Sequence, residues 1–336
     1  MISGESTMRT RTFSILTLIV MTALVCAAPA PSRKPVAISV NNAGKVTLIR
    51  EIAWDTQELV WMPKNQLALH GWETPVEIVD PISFRTVRKL AEGKKLVQFA
   101  ASSDGETIAF CENANSVEIH NHRTKKLLRL DTENHQPWMA FSPNGKLLAT
   151  GGYGTQAKLW STASGELIRC LDAPCKGGLT PVFSPDGKLL AVGNRNDVTR
   201  IFEVETGKLV HTLPRKMSQE LRFSPNGKVL AVAYVDGSLR LWDADNGNLL
   251  FEHKTKAKEI YTLDWSPAGD VLATAGLEGK ITLWDAGNLA ILKELEAPEW
   301  VIRVRFSPDG SRLYSAGGKS FPALDRKVSV WGLGKR

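Results

Sequence analysis

Residues 141–145 read Phe-Ser-Pro-Asn-Gly, and this phrase decides the fold because it returns at a fixed interval along the chain. Close copies begin at Phe183, Phe223, Trp265 and Phe306, and weaker copies begin at positions 61 and 101. The seven starting positions lie 40 to 42 residues apart. Equal spacing of this kind indicates a repeat architecture in which each copy is one supersecondary unit.

The chemistry of each copy predicts a turn between two strands. Proline presets φ for a turn, Asp or Asn tolerates its tight geometry, and glycine accepts a positive φ. A second turn follows, for example Asp236-Gly237, and then an alternating strand that ends on an aromatic, as in residues 239–242 (Leu-Arg-Leu-Trp). A polar turn and a fourth strand complete the unit. Alternating strands with frequent turns are typical of all-β proteins, and four strands in about 40 residues form one propeller blade.

The third strand of each unit carries a resemblance to a known family. Residues 241–243 and 283–285 both read Leu-Trp-Asp, and degenerate forms occur at residues 159–161, 201–203 and 330–332. These units resemble WD40 repeats, and the resemblance covers about residues 44 to 332. It implies an all-β, seven-bladed β-propeller of four-stranded antiparallel blades. The chain departs from the family at the positions where a histidine is expected, which hold residues such as Thr132 and Pro174.

The two ends of the repeat region predict how the ring closes. Only five residues follow Trp331, too few for a fourth strand in the last unit. The segment 45–52 matches a fourth strand that precedes the first unit. We therefore expect the N-terminal strand to complete the last blade, which pairs an otherwise open sheet edge. The propeller would then span residues 45–336, after a Pro-rich lead at residues 29–44.

The N-terminus predicts export. Arg9 and Arg11 precede an apolar run from Phe13 to Val25, and small residues follow. This order is that of a signal peptide, here residues 1–28, with cleavage near residue 28 or 30. An uncleaved anchor is the alternative, although the run is shorter than the roughly 20 residues that span a bilayer. We expect a periplasmic or secreted, monomeric protein without a membrane span after cleavage.

Three cysteines remain after cleavage, namely Cys111, Cys170 and Cys175. An exported protein can form disulfides, so Cys170 and Cys175 are a candidate pair and Cys111 is the odd thiol. His120 and His122 share one face of a strand, yet no third ligand is evident, so we expect no metal site. The Gly-Gly-Lys-Ser sequence at 317–320 lacks the first glycine of a phosphate-binding loop. No cofactor is expected.

Residues that the repeat does not require are the candidates for partner binding. In the family, the loops that lead into first strands and the turns between second and third strands lie on one face, the top, where partners commonly dock. The aromatic candidates in these regions are Trp54, Trp72, Tyr153, Tyr261, Trp300 and Phe321. Phe321 belongs to a loop of the last unit that is some six residues longer than its counterparts. The basic candidates are Lys254, Lys256 and Lys258.

The favoured function is non-catalytic protein–protein binding outside the cytoplasm, through the top face. The net charge of +7 is mild, and it is compatible with an acidic partner. Two alternatives stay open. An enzymatic propeller, of the lactonase or quinoprotein dehydrogenase type, requires three or more carboxylates or histidines at the channel mouth. A binder of an anionic polymer would show steep salt dependence. Nucleic acid is not expected for an exported protein.

Overall fold

The structure is a computed structural model that describes residues 35–71, 74–112, 116–132, 138–152, 156–173, 178–194, 198–214, 217–255, 259–297, 300–318 and 326–334. Its strands form seven separate antiparallel sheets of four strands each. The architecture is a seven-bladed all-β propeller, as the repeat predicts. Within the described residues, no helix is long and apolar enough to cross a membrane.

The strands are, in chain order, β1 (Val46–Ala53), β2 (Glu58–Met62), β3 (Gln66–His70), β4 (Val76–Val79), β5 (Thr86–Leu90), β6 (Gln98–Ala101), β7 (Thr107–Cys111), β8 (Ser116–Asn121), β9 (Lys126–Asp131), β10 (Trp138–Phe141), β11 (Leu147–Gly151), β12 (Gln156–Ser161), β13 (Leu167–Asp172), β14 (Leu179–Phe183), β15 (Leu189–Asn194), β16 (Arg200–Glu203), β17 (Leu209–Thr212), β18 (Ser218–Phe223), β19 (Val229–Tyr234), β20 (Ser238–Asp243), β21 (Leu249–Lys254), β22 (Ile260–Trp265), β23 (Val271–Gly276), β24 (Lys280–Asp285), β25 (Ile291–Glu296), β26 (Trp300–Phe306), β27 (Arg312–Gly318) and β28 (Lys327–Leu333). A single 3₁₀ turn, Ala43–Lys45, precedes β1 within the described residues. Blades 1 to 6 are the successive groups of four from β2 to β25, and blade 7 contains β26, β27, β28 and β1.

Blade 7 closes the ring in the predicted way. Strand β1 pairs antiparallel with β28, from Val46 opposite Leu333 to Ala53 opposite Lys327. The N-terminal strand therefore occupies the outer edge of the last blade. The preceding segment is held as well, since Ile38 donates its backbone N–H to the carbonyl of Gly310 at 2.8 Å and its side chain is buried between blades 6 and 7.

The repeated turn is a closed hydrogen-bonded unit, which explains why its sequence recurs. In blade 3, Ser142 Oγ donates to Asn144 Oδ1 at 2.8 Å and accepts the backbone N–H of Leu147 at 2.9 Å. Asn144 Oδ1 also accepts the N–H of Lys146 at 3.0 Å. Gly145 supplies a φ of 68°, in the left-handed region that glycine adopts without strain. These residues are thus accounted for by the turn itself.

The core lies between neighbouring blades, where the third-strand tryptophans pack as predicted. Trp160, Trp242, Trp284 and Trp331 are all buried. Three of them also donate their indole N–H to a hydroxyl of the adjacent second strand, for example Trp284 Nε1 to Thr274 Oγ1 at 2.8 Å. A buried indole that keeps its hydrogen bond avoids the cost of an unsatisfied donor, so these positions serve packing.

Candidate functional site

The innermost strands of the seven blades surround a central channel that encloses a cavity of about 520 Å³. Side chains alternate along a strand, so the residue one position before each repeat anchor faces the channel and the next residue towards the N-terminus faces the blade interior. The residue three positions before the anchor also lines the channel, except in blade 6, where Thr262 is fully buried. In blade 7, for example, Arg303 and Arg305 line the channel and Val304 is fully buried. We name the face at which the innermost strands begin the top face.

One side of the channel contains an ion-pair cluster at the seam between blades 7 and 1. Arg303 Nε lies 2.9 and 2.8 Å from the two carboxylate oxygens of Glu58, and Arg303 Nη2 lies 2.8 Å from Oε2. Burial alone would raise the pKa of Glu58, but Arg303 and Arg305 outweigh burial and lower it. Glu58 is therefore held ionised and acts as an acceptor across the seam.

The cluster continues into blades 5 and 6. Glu220 and Arg222 stand on the same face of β18, with Arg222 Nη2 at 3.1 Å from Glu220 Oε1. Asp264 on β22 accepts the backbone N–H of Phe306 on β26 at 2.8 Å, so it joins the two neighbouring innermost strands. Burial raises the pKa of Asp264 despite nearby arginines. The channel thus gathers three carboxylates, and three arginines accompany them.

The opposite side of the channel is mostly apolar. At the positions where blades 5 to 7 place charges, blades 2, 3 and 4 place Ala100, Trp138, Ala140 and Val182, together with the uncharged polar Gln98 and Thr180. The Trp138 ring lies directly over Gly178, where an added Cβ would stand 2.5 Å from the ring atom Cζ3. Gly178 is therefore the residue that lets this tryptophan lie against the channel wall. The channel has one charged half and one uncharged half that is mostly apolar.

The predicted partner-binding residues that the structure describes occupy several places. Tyr261 is half-buried and lines the central channel. Trp54 is half-buried at the seam of blades 7 and 1, with its ring 6.3 Å from that of Phe84, and it lines a separate cavity of about 320 Å³. Trp300 is half-buried at the first position of β26. The structure does not gather these aromatics into one cluster.

Lys254 is exposed at the end of β21 and lines a groove of about 670 Å³ beside blade 6. Glu259, Glu278 and Glu294 line the same groove, so its charge is mixed. The other candidates, Trp72, Tyr153, Lys256, Lys258 and Phe321, lie outside the described residues. They remain predictions.

His120 on β8 belongs to an ion cluster in blade 2, whereas His122 lies just beyond the end of this strand. Glu118 Oε2 accepts Lys94 Nζ at 2.7 Å and Oε1 accepts Arg129 Nη2 at 2.9 Å, while His120 Nε2 lies 3.3 Å from Oε2. Burial alone would raise the pKa of Glu118, yet these three partners lower it to about 2. Among the described residues, no group of three or more His, Cys, Asp or Glu side chains could hold a metal ion.

The cysteines are only partly described. Cys111 is buried in β7, and burial raises the pKa of its thiol to about 11, so it is not a reactive thiolate. Cys170 is exposed on β13. Cys175 lies outside the described residues, so the disulfide between Cys170 and Cys175 stays a prediction.

The channel residues were not singled out from the sequence. Their signal was present, because Arg222 and Arg305 stand in first strands at the position where the first four copies have Val or Ala. A charged residue in an alternating strand is ordinarily interpreted as solvent-facing. Only the closing of seven strands into a ring turns that face into the wall of a channel.

Comparison with protein families agrees with the repeat. The WD domain, G-beta repeat family matches residues 133–161, 247–285 and 290–332. The anaphase-promoting complex subunit 4 WD40 domain matches residues 181–219 and 215–265. These matches fall on blades 3 to 7. No curated protein matches the chain.

Proposed function

Because the chain belongs to the WD40-repeat β-propeller family, whose members generally serve as protein-interaction scaffolds, we propose that it is a non-catalytic scaffold that acts outside the cytoplasm and binds a protein partner on its top face. The observation that carries this proposal is the channel mouth. Half-buried Trp138 and Tyr261 line a concave surface there, and half-exposed aromatics in a concavity are the side chains that anchor partners.

The same channel bears on the enzymatic alternative. It contains three carboxylates, the number that this alternative requires, yet each already has a partner, and Asp264, the one whose pKa is raised by burial, accepts the backbone N–H of Phe306. A general base needs a pKa near the working pH. Arg303 and Arg305 lower the pKa of Glu58, and the carboxylate of Glu220 lies 3.1 Å from Arg222. This pairing favours a binding surface over a catalytic centre.

Affinity capture tests the top-face assignment. The mature chain, residues 29–336, is immobilised, and partner retention is compared with that of the Trp300→Ala and Phe321→Ala variants. Truncating an aromatic anchor at an interface costs about 2 kcal/mol or more, so affinity should fall by roughly thirtyfold and retention should fall with it. The thermal midpoints of both variants should stay close to that of the parent.

N-terminal sequencing of the native protein, expected to begin near residue 29 or 31, tests export.

The matched control lies on the opposite face. Lys188 is exposed beside the turn of blade 4 and should be replaceable by alanine without loss of partner. Substitutions at Asp186 and Asp309, whose carboxylates are hydrogen-bonded to the serines of their own turns, complete the control. Loss of the partner in these variants, with full retention in Trp300→Ala and Phe321→Ala, would move the binding face to the other side.

A further inference from the structure

Arg305 has more donors than the channel supplies acceptors. A guanidinium carries five N–H donors. Arg305 Nη1 donates to the carbonyl of Val304 at 2.7 Å, whereas Nη2 lies 3.5 Å from Glu58 Oε1 and 3.8 Å from Glu220 Oε1. Both separations exceed the usual length of a direct charge-assisted hydrogen bond. The side chain is only 11% exposed, so these weak contacts are not replaced by bulk solvent.

The neighbouring carboxylates already have closer partners. Glu58 is bound in a fork by Arg303, and Glu220 lies closer to Arg222 than to Arg305. Arg222 Nε is itself buried and has no acceptor among the described residues. Burial and the charge of Arg222 lower the pKa of Arg305 to about 10, and they outweigh the opposite effect of Asp264, Glu220 and Glu58.

The cavity in front of Arg305 has room and an apolar wall. Its volume of about 520 Å³ is within the range of small-ligand pockets. Trp138, Ala140 and Val182 line the side that faces the charges. A ligand that fits both halves needs one planar acceptor group and one apolar body.

We propose that the central channel binds a carboxylate group carried on a small apolar body, with Arg305 as the anchor and the wall around Trp138 as the apolar contact. A carboxylate offers two acceptors in the geometry that a guanidinium matches. This site goes beyond partner binding on the top face. The carboxylate belongs either to a free small molecule or to the C-terminus of a peptide.

Isothermal titration of the mature chain tests the site with three probes. Phenylacetate represents the free small carboxylate, N-acetyl-phenylalanine represents a peptide C-terminus, and N-acetyl-phenylalanine amide has the same body without the charge. At least one carboxylate should bind, and the amide should bind at least roughly tenfold more weakly, the loss expected when charge-assisted hydrogen bonds to Arg305 are removed. The preferred carboxylate identifies the source.

Two variants assign the site within the protein. Arg305→Lys keeps the charge and removes the fork, so carboxylate affinity should fall at least roughly tenfold. Arg240→Lys is the matched control, because Arg240 is equally buried, at 11% exposure, but pairs with Glu252 on the outer strand of blade 5. Ala140→Leu fills the apolar half and leaves every charge in place, so it should weaken the same probe even where Arg305→Lys fails to fold.

Three results would overturn the proposal. They are an amide that binds as tightly as its carboxylate, a folded Arg305→Lys or Ala140→Leu protein with unchanged affinity, and the absence of binding by both carboxylates up to millimolar concentration. None of these results bears on partner retention by the Trp300→Ala and Phe321→Ala variants, so the failure of this site and the failure of the proposed function are distinguishable.

Discussion

The first blade joins its first two strands by a turn that lacks glycine and is one residue shorter than in blade 3, since Trp61 pairs with Leu67 whereas Phe141 pairs with Leu148. Lys64 and Asn65 adopt φ values of 60° and 54°, where the corresponding turns of blades 2 to 7 use glycine at 67° to 77°. The left-handed region costs a non-glycine residue about 1–2 kcal/mol. Glycine avoids this strain, but ordering its more flexible backbone on folding costs about 0.5–1 kcal/mol. Blade 1 therefore has a weaker turn than its neighbours.

We expect Lys64→Gly to raise the free energy of unfolding by about 0.5–1 kcal/mol, since glycine relieves the strain. Chemical denaturation measures this change. Gly227→Ala is the reciprocal control: its φ is 76° and an added Cβ would make only ordinary contact, 3.5 Å from Pro185, so it should lose about 1 kcal/mol from backbone strain alone. Equal destabilisation by both substitutions would contradict the strain argument.

A second prediction at the residue scale concerns Glu118 and the stability of the protein in acid. Its pKa is lowered from 4.5 to about 2 in the folded protein, so its contribution to stability is fully present above pH 4.5 and is lost as the pH falls towards 2. Glu118→Gln should lower the free energy of unfolding at pH 7 by about 1–2 kcal/mol. The value is this small because the partner Arg129 is exposed, so that solvent screens its interaction with Glu118. The variant should then lose less stability than the parent between pH 4.5 and 2.

Denaturation at several pH values measures the effect. Glu112→Gln is the matched control, because the Glu112 carboxylate bonds the same Lys94 at 2.8 Å but is 36% exposed against 9% for Glu118. The Glu112→Gln variant should lose as much unfolding free energy between pH 4.5 and 2 as the parent does. A parallel decline of parent and Glu118→Gln below pH 4.5 would show that the cluster does not couple to acid stability.

At the scale of elements, β1 matters more than its exposed surface suggests. Most of its side chains are exposed, but Val46 is fully buried and Ile38 just before it is 1% exposed. The strand also covers the edge of β28 along its whole length. Exposed strand edges invite pairing with other chains, so β1 both closes the ring and protects it.

Deleting residues 1–52 should therefore destabilise the propeller, whereas deleting residues 1–36 should leave it intact. The loss of Val46 and Ile38 alone removes about 3–6 kcal/mol of apolar burial. Thermal unfolding and size-exclusion chromatography provide the measurements, and the longer deletion should also associate through the freed edge of β28. Equal thermal midpoints for the two deletions would refute the role of β1.

The elements also show how far the sequence predicts this molecule. The seven blades and the β1–β28 closure follow from turn chemistry, which is local and repeats, so copies reinforce one another. The ion pairs of the channel cluster could not be predicted, because Glu58 and Arg303 are 245 residues apart and meet only when the ring closes. Trp138 was missed for the same reason, since its place against Gly178 depends on the neighbouring blade.

At the scale of the whole molecule, the question is how a partner approaches the top face. Lys254 is exposed there, and Lys256 and Lys258 follow it in the sequence. Exposed lysines at an interface rim change the rate of association more than the final affinity. Their field reaches about 10 Å at 0.1 M salt and about 30 Å at 0.01 M, so the effect depends on ionic strength.

We expect reversal of these three lysines to glutamate to slow association with an acidic partner by roughly tenfold at low salt and by little at 0.15 M, with an almost unchanged dissociation rate. Surface plasmon resonance at several salt concentrations measures both rates. Lys188, Lys208 and Lys228, reversed together, are the control from turns on the opposite face, and they should leave association unchanged. An anionic polymer as the ligand would give a different result. The logarithm of the parent's binding constant would then fall steeply and linearly with the logarithm of the salt concentration, because condensed counterions are released from the polymer on binding. The lysine reversal would in that case abolish binding.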